Sequence, residues 1–251
     1  MTRRRTALAV VCLLIGVGIV LSVPHRVWQP TVESPNYWEG HTGVLTTLVL
    51  QVVFGSCLVA AGFALGFADV ARYLPSTGVR LSGLTVLVGS LIWYSPETVP
   101  VISETTGEIY LVRAGVFALL VVGVGGVLAR YPPSRRLGRY GGGVLAGGFS
   151  LLAGANLLRW SLRTVEPQTG ALSYPPLGVT AAGTLAVIVG SVLLGAELRS
   201  RDDAPRWLWP LFTLSGILTV PLGVAPLLQY NEAIGLYCLA MAVVGAHLLV
   251  K

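Results

Sequence analysis

Prolines, carboxylates and two arginines are the residues best placed to do chemistry in this chain. Pro96 and Pro100 fall at the end of one apolar run, and Pro221 and Pro226 at the end of another. Proline removes a backbone donor and clashes with the preceding turn. In a membrane the carbonyl so freed must find another partner or water. Interrupted helices at corresponding places in two halves of a chain are a sequence sign of a transporter site. Glu97, Glu104 and Glu108 follow the first proline pair, and Gln229, Asn231 and Glu232 follow the second. Arg113 and Arg159 each lie a few residues inside an apolar run. Together they predict a polar pocket built from Glu97, Glu104, Glu108, Arg113, Arg159, Asn231 and Glu232, with the arginines meeting an anionic ligand at its mouth. The plainer alternative is that the prolines only end helices, while the arginines snorkel to headgroups or pair with a glutamate.

Other constellations are weaker. His25, Glu39 and His41 could supply zinc ligands if they converged, but no HExxH-type spacing supports convergence, and they read as an ordinary solvated loop. His247 stands in the last apolar run without a second intramembrane histidine, so a bis-histidine haem is not expected. Ser90, Ser150, Ser191 and Ser215 sit beside or near glycines, yet no G-x-S-x-G elbow occurs. Cys12, Cys57 and Cys238 lie in apolar runs without C-x-x-C spacing and read as small buried hydrophobes. The triplet Gly141-Gly142-Gly143 lacks the Lys-Ser/Thr of a phosphate loop. Gly62-x-x-x-Gly66 and Gly143-x-x-x-Gly147 fit close helix crossings. Gln51 and Asn156 would be interhelical glue or pocket lining, and Glu197 is expected to face Arg199 or Arg201 at the headgroups. No catalytic residue, cofactor or metal is assigned, and no stretch carries a resemblance to a known family.

The elements that must position these residues are apolar. The chain is 54% hydrophobic and only 11% charged, with a mean hydropathy of +0.75. Soluble domains carry about 25% charged residues, so too little polar surface exists to cover a water-soluble globule. Eight runs approach the length of about 20 residues that a bilayer requires. They are 6–23, 43–67, 79–94, 109–129, 142–162, 177–198, 207–228 and 233–250. The third is short and is expected to extend into the loop after it. Arg3-Arg4-Arg5 before the first run resembles a signal peptide, but no A-x-A-like site follows, so the run reads as an uncleaved helix.

Charge orients the runs. Arg3, Arg4, Arg5, Arg72, Arg80, Arg130, Arg135, Arg136, Arg139, Arg199, Arg201, Arg206 and Lys251 fall on one side, thirteen of the 17 basic residues. Arg26, Arg113, Arg159 and Arg163 fall on the other, with most of the carboxylates. The positive-inside bias then puts both termini in the cytoplasm. It also accounts for the net charge of +6 without invoking nucleic acid. Trp28, Trp38, Trp93, Tyr94, Tyr110 and Trp160 would anchor the outer interface.

The expected fold is an all-α polytopic bundle of about eight transmembrane helices in a single domain, 1–251. It divides into two parallel four-helix halves, 1–130 and 140–251. Thr31-Val32-Glu33 recurs as Thr164-Val165-Glu166, and Arg80 opens helix 3 as Arg206 opens helix 7. Apolar sequences also align by chance, so the duplication is an expectation for the structure to test. Three function classes rank in order. First is a cell-membrane protein that binds or moves a small solute through an outer-side pocket. Second is an accessory subunit packed against other membrane subunits or itself. A membrane-embedded enzyme comes third.

Overall fold

The computed structural model describes residues 3–26, 42–71, 75–93, 108–165, 174–224 and 230–250. Every element described is helical. The helices are α1 (Arg3–Leu21), α2 (Thr42–Gly62), α3 (Ser76–Ile92), α4 (Glu108–Arg130), α5 (Arg136–Val165), α6 (Tyr174–Arg199), α7 (Leu208–Val224) and α8 (Tyr230–Val250). A π-helical turn at Phe63–Phe67 continues α2 into a short tail, Ala68–Ala71.

Local chemistry explains several ends. α4 starts on Glu108 and finishes on Arg130, each charge opposing the partial charge at its helix end. α6 opens Tyr174-Pro175-Pro176, where the missing N–H groups have no intrahelical partner to lose. α3 starts at Ser76 behind an extended Pro75, three residues before the apolar run begins. The stretch after Trp93 lies outside the described residues.

Among the described residues, five helices are long and apolar enough to cross a membrane: Arg4–Leu21, Leu45–Phe67, Glu108–Arg130, Arg136–Leu162 and Gly178–Arg199. Ser76–Ile92, Leu208–Leu218 and Tyr237–Val250 are shorter apolar helices. Large apolar side chains also cover the outward faces, among them Leu14, Leu50, Phe54, Leu81, Leu91 and Leu185. Water would strip such a surface of stability, whereas hydrocarbon suits it, so the architecture fits a membrane protein.

α5 is the hub. It packs on α2, α4 and α6, while α3 and α7 complete a ring by way of α8. The Gly141-Gly142-Gly143 triplet explains how one helix accepts three close neighbours. Successive helical residues point about 100° apart. An added Cβ on Gly141 would meet Leu194 N of α6 at 2.8 Å, one on Gly142 would meet Leu128 of α4 at 2.7 Å, and one on Gly143 would meet the Ala60 carbonyl of α2 at 2.7 Å. Gly147 also abuts Ala60, so Gly143-x-x-x-Gly147 is a close crossing onto α2. Gly62 and Gly66 face Ala9 and Arg5 of α1, which makes that motif a close crossing as well. Gly83 and Gly245 bring α3 against α8 in the same way.

The neighbours lend the tandem-halves reading no support. α5 has three extensive partners, whereas α1, its counterpart in the first half, packs chiefly on α2 and the π-turn. Among the polar residues, Gln51 Nε2 donates to the Ile19 carbonyl at 3.0 Å and to Ser22 Oγ at 2.8 Å, so it is interhelical glue. Asn156 instead donates to Leu152 one turn back in its own helix, at 2.7 Å. Cys238 is buried and Cys12 half-buried, but Cys57 lies on the exposed face of α2, contrary to the expectation of burial.

Candidate functional site

The two arginines singled out by sequence each lie over an aromatic ring at the same end of the bundle. α4 enters the bundle there and α5 leaves it. Tyr110 and Arg113 are three residues apart on α4, which sets them on one face. The Arg113 guanidinium lies 5.5 Å from the Trp93 ring centre, and the Arg159 guanidinium lies 6.0 Å from the Tyr110 ring centre. Both arginines are half-buried. An aromatic face attracts such a cation by about 0.5–2 kcal/mol, more as water is excluded. The pairing therefore holds two positive charges over the first turns of α4.

Beneath them the bundle is filled. Trp93 packs on Phe117 at 5.6 Å, Phe117 on Phe149 at 6.3 Å, and Phe149 on the edge of Tyr237 at 5.7 Å. The Tyr237 hydroxyl is 2.8 Å from Ser191 Oγ, which ties α8 to α6 in the buried interior. This file of rings is a floor under the arginine pair. Glu108 is exposed at the start of α4. Glu97, Glu104, Pro96, Pro100, Pro226 and Gln229 lie outside the described residues, as do the side chains of Asn231 and Glu232. Pro221 belongs to the last turn of α7.

The opposite end of the bundle carries both the start of α1 and the end of α8, around the turn that joins α4 to α5. Here the structure corrects the placement of Glu197. Its side chain is buried and makes no ion pair with Arg199 or Arg201, although its charge still acts on Arg201. One carboxylate oxygen accepts from Ser134 N at 2.8 Å, Ser134 Oγ at 2.9 Å and Arg135 N at 3.3 Å. The partly positive start of α5 and its unpaired N–H groups draw the carboxylate inward. Gly138 leaves the room, since a Cβ there would meet Glu197 Cγ at 2.5 Å. Arg199 lies over Trp209 instead, 5.0 Å from the ring centre. Arg201 makes a bidentate pair with Asp203, at 2.8 and 2.7 Å, and donates to the Pro132 carbonyl. The Arg201 guanidinium holds the Asp203 carboxyl below its ordinary value, and Asp203 in turn raises Arg201.

His247 is also accounted for at this end. Its Nε2 lies 2.8 Å from the Tyr131 hydroxyl, and Trp207 meets its ring edge-on at 5.1 Å. Burial pushes the Tyr131 phenol up. The serines named above have other partners or positions: Ser150 and Ser215 donate to carbonyls of their own helices. His25 is exposed, while Glu39 and His41 lie outside the described residues. Among the described residues no group of His, Cys, Asp and Glu gathers in a way that could hold a metal.

Sequence reasoning missed one concavity at this end. A cavity of about 390 Å³ is lined by Arg5 and Leu8 of α1, Ala64 and Leu65 of the π-turn, and Arg136, Arg139 and Tyr140 of α5. Its signal was the two basic clusters assigned to the same side, but nothing in their spacing shows that they converge. A second, apolar groove of about 440 Å³ runs between α1, α2, α4 and α5, with Val17, Val20, Gly115, Ala118 and Leu157 in its walls. Compared with known protein families, curated proteins and solved structures, the chain has no match.

Proposed function

We propose that this is a multi-pass integral protein of the cell membrane that binds a small anionic solute at the Arg113 end of the bundle. The observation that carries the reading is that Arg113, near the start of α4, lies over Trp93 while Arg159 lies over Tyr110 of the same helix, above an aromatic floor. Two cations held at a half-buried position form an anion-binding mouth. In this reading all eight helices span the bilayer and both termini are cytoplasmic, which follows from the charge bias between the two sets of loops. The mouth then opens outward. Glu97, Glu104, Glu108, Asn231 and Glu232 are the sequence-based candidates for tuning which anion is accepted there. The ring file below favours binding over free passage, since a through-route would have to part Trp93, Phe117, Phe149 and Tyr237.

The test is thermal unfolding of the purified protein in mild detergent against a panel of acetate, succinate, methanesulfonate and inorganic phosphate. A ligand that binds only the folded state raises its stability with concentration. The proposal expects one anion class to raise the melting temperature, and Arg113→Gln to abolish that rise. No shift with any anion, or an undiminished shift in Arg113→Gln, would overturn it.

One observation favours a second reading, an accessory subunit. The groove between α1 and α4 is apolar, and among the described residues nothing beyond its own turn of helix lies within 4 Å of the missing side chain of Gly115 in its wall. A small-residue surface of this kind suits the close approach of a helix from another membrane protein.

A further inference from the structure

We infer that the cavity between α1, the π-turn and α5 is a binding site for the phosphate headgroup of an anionic membrane phospholipid. It lies at the opposite end from Arg113 and does not rest on the solute site proposed there. Three arginines, Arg5, Arg136 and Arg139, line about 390 Å³ of space together with Tyr140. The carboxylate described beside them is Asp69, 3.8 Å from Arg139, which leaves an excess of two positive charges. Among the described residues, Arg5 and Arg136 have no carboxylate within ion-pairing distance. Guanidinium groups present forked donors that match phosphate oxygens.

The wall below the arginines selects a lipid over a free anion. Leu8 and Leu65 are both exposed and line the same cavity, so apolar surface continues directly from the charged mouth. A phosphate on a glycerol backbone with acyl chains fits that order, whereas a free phosphate leaves the leucines unmatched. The π-turn contributes to the shape. Its extra residue per turn sets Ala64 and Leu65 in the wall, while Gly62 and Gly66 allow α1 to close against α2. π-turns recur at functional positions in helices. Basic pockets between membrane helices, near the surface, recognise such headgroups.

The test is native mass spectrometry of the full chain with phosphatidylglycerol and phosphatidylcholine in equal amounts, and separately with inorganic phosphate. An arginine facing an anionic headgroup is worth about five-fold in affinity. The wild-type protein should retain phosphatidylglycerol in preference to phosphatidylcholine. Arg5→Gln with Arg136→Gln should lower phosphatidylglycerol affinity by about 25-fold, the product of two such factors. Arg4→Gln with Arg135→Gln removes the same charge from exposed positions outside the cavity and should keep the preference. Equal losses in the two double variants would show general surface attraction and overturn the site. So would an unchanged preference in Arg5→Gln with Arg136→Gln. Displacement of phosphatidylglycerol by an equal concentration of inorganic phosphate would overturn the lipid as the occupant.

Discussion

Gly190 lies where α6 meets the hub, and replacing it tests whether α5 is held as tightly as the structure indicates. A Cβ on Gly190 would stand 2.7 Å from Leu145 Cα and 2.8 Å from Leu145 Cβ. The first of these is a backbone atom and cannot rotate away. Ordinary apolar contacts lie near 4 Å, so Gly190→Ala must drive α5 and α6 apart by roughly 1 Å. A gap of that size removes about a quarter to a half of each lost contact's attraction. Overpacking of a filled interior costs about 1–3 kcal/mol. Against it stands the better helix propensity of alanine, about 1 kcal/mol. The net expectation is a loss of about 0–2 kcal/mol, a fall of up to about 8 °C for a chain of this length. Gly178→Ala is the control on the same helix, because among the described residues nothing beyond its own turn of helix lies within 4 Å of its missing side chain. It should be neutral or slightly stabilising. The assay is thermal unfolding in mild detergent, read by the loss of the monodisperse peak in size-exclusion chromatography. If Gly190→Ala melts as high as Gly178→Ala, which shares the gain in helix propensity, the close α5–α6 contact is not a constraint and the reasoning fails.

Three further outcomes are expected in the same assay. Glu197→Ala leaves the N–H groups of Ser134 and Arg135 without their acceptor and should cost about 1–3 kcal/mol, whereas an equal melting temperature would show that the buried carboxylate anchors nothing. Tyr131→Phe removes the 2.8 Å contact with His247 and should cost about 0.5–1.5 kcal/mol; a larger loss would point to packing rather than to that bond. Asp203 has its folded-state value lowered by Arg201, so its contribution is present at neutral pH and is lost as pH falls through that lowered value. Acid titration of Asp203→Asn against wild type should thus show the two converging below the usual carboxylate range, and a constant gap down to the lowest pH would contradict the pairing.

The helices themselves were legible because a bilayer demands long apolar runs, and these end at charges and prolines. The run 109–129 became Glu108–Arg130, and 177–198 became Tyr174–Arg199. The glycine motifs were legible as close crossings, but not which helix each would meet. That depends on where α5 sits among its neighbours, and a local spacing does not encode it. Glu197 shows the same limit. Arg199 and Arg201 are its near neighbours in sequence, while its partners Ser134 and Arg135 arrive from the preceding hairpin. At the Arg113 end, sequence singled out both arginines because charge inside an apolar run is costly. Sequence alone marks their aromatic partners Trp93 and Tyr110 only as interface anchors. The basic cavity stayed hidden because Arg5 and Arg136 come from distant parts of the chain and meet only once α1 docks against the π-turn.

The most direct test of the central claim is native mass spectrometry of the protein gently extracted from its own membrane. If the chain itself is the binding unit for a small anion, it should leave alone or as a homo-oligomer. It should then carry a small anionic adduct that Arg113→Gln removes. Release with a stoichiometric second protein, and no such adduct, would contradict the solute reading and establish the α1–α4 groove as the surface to examine.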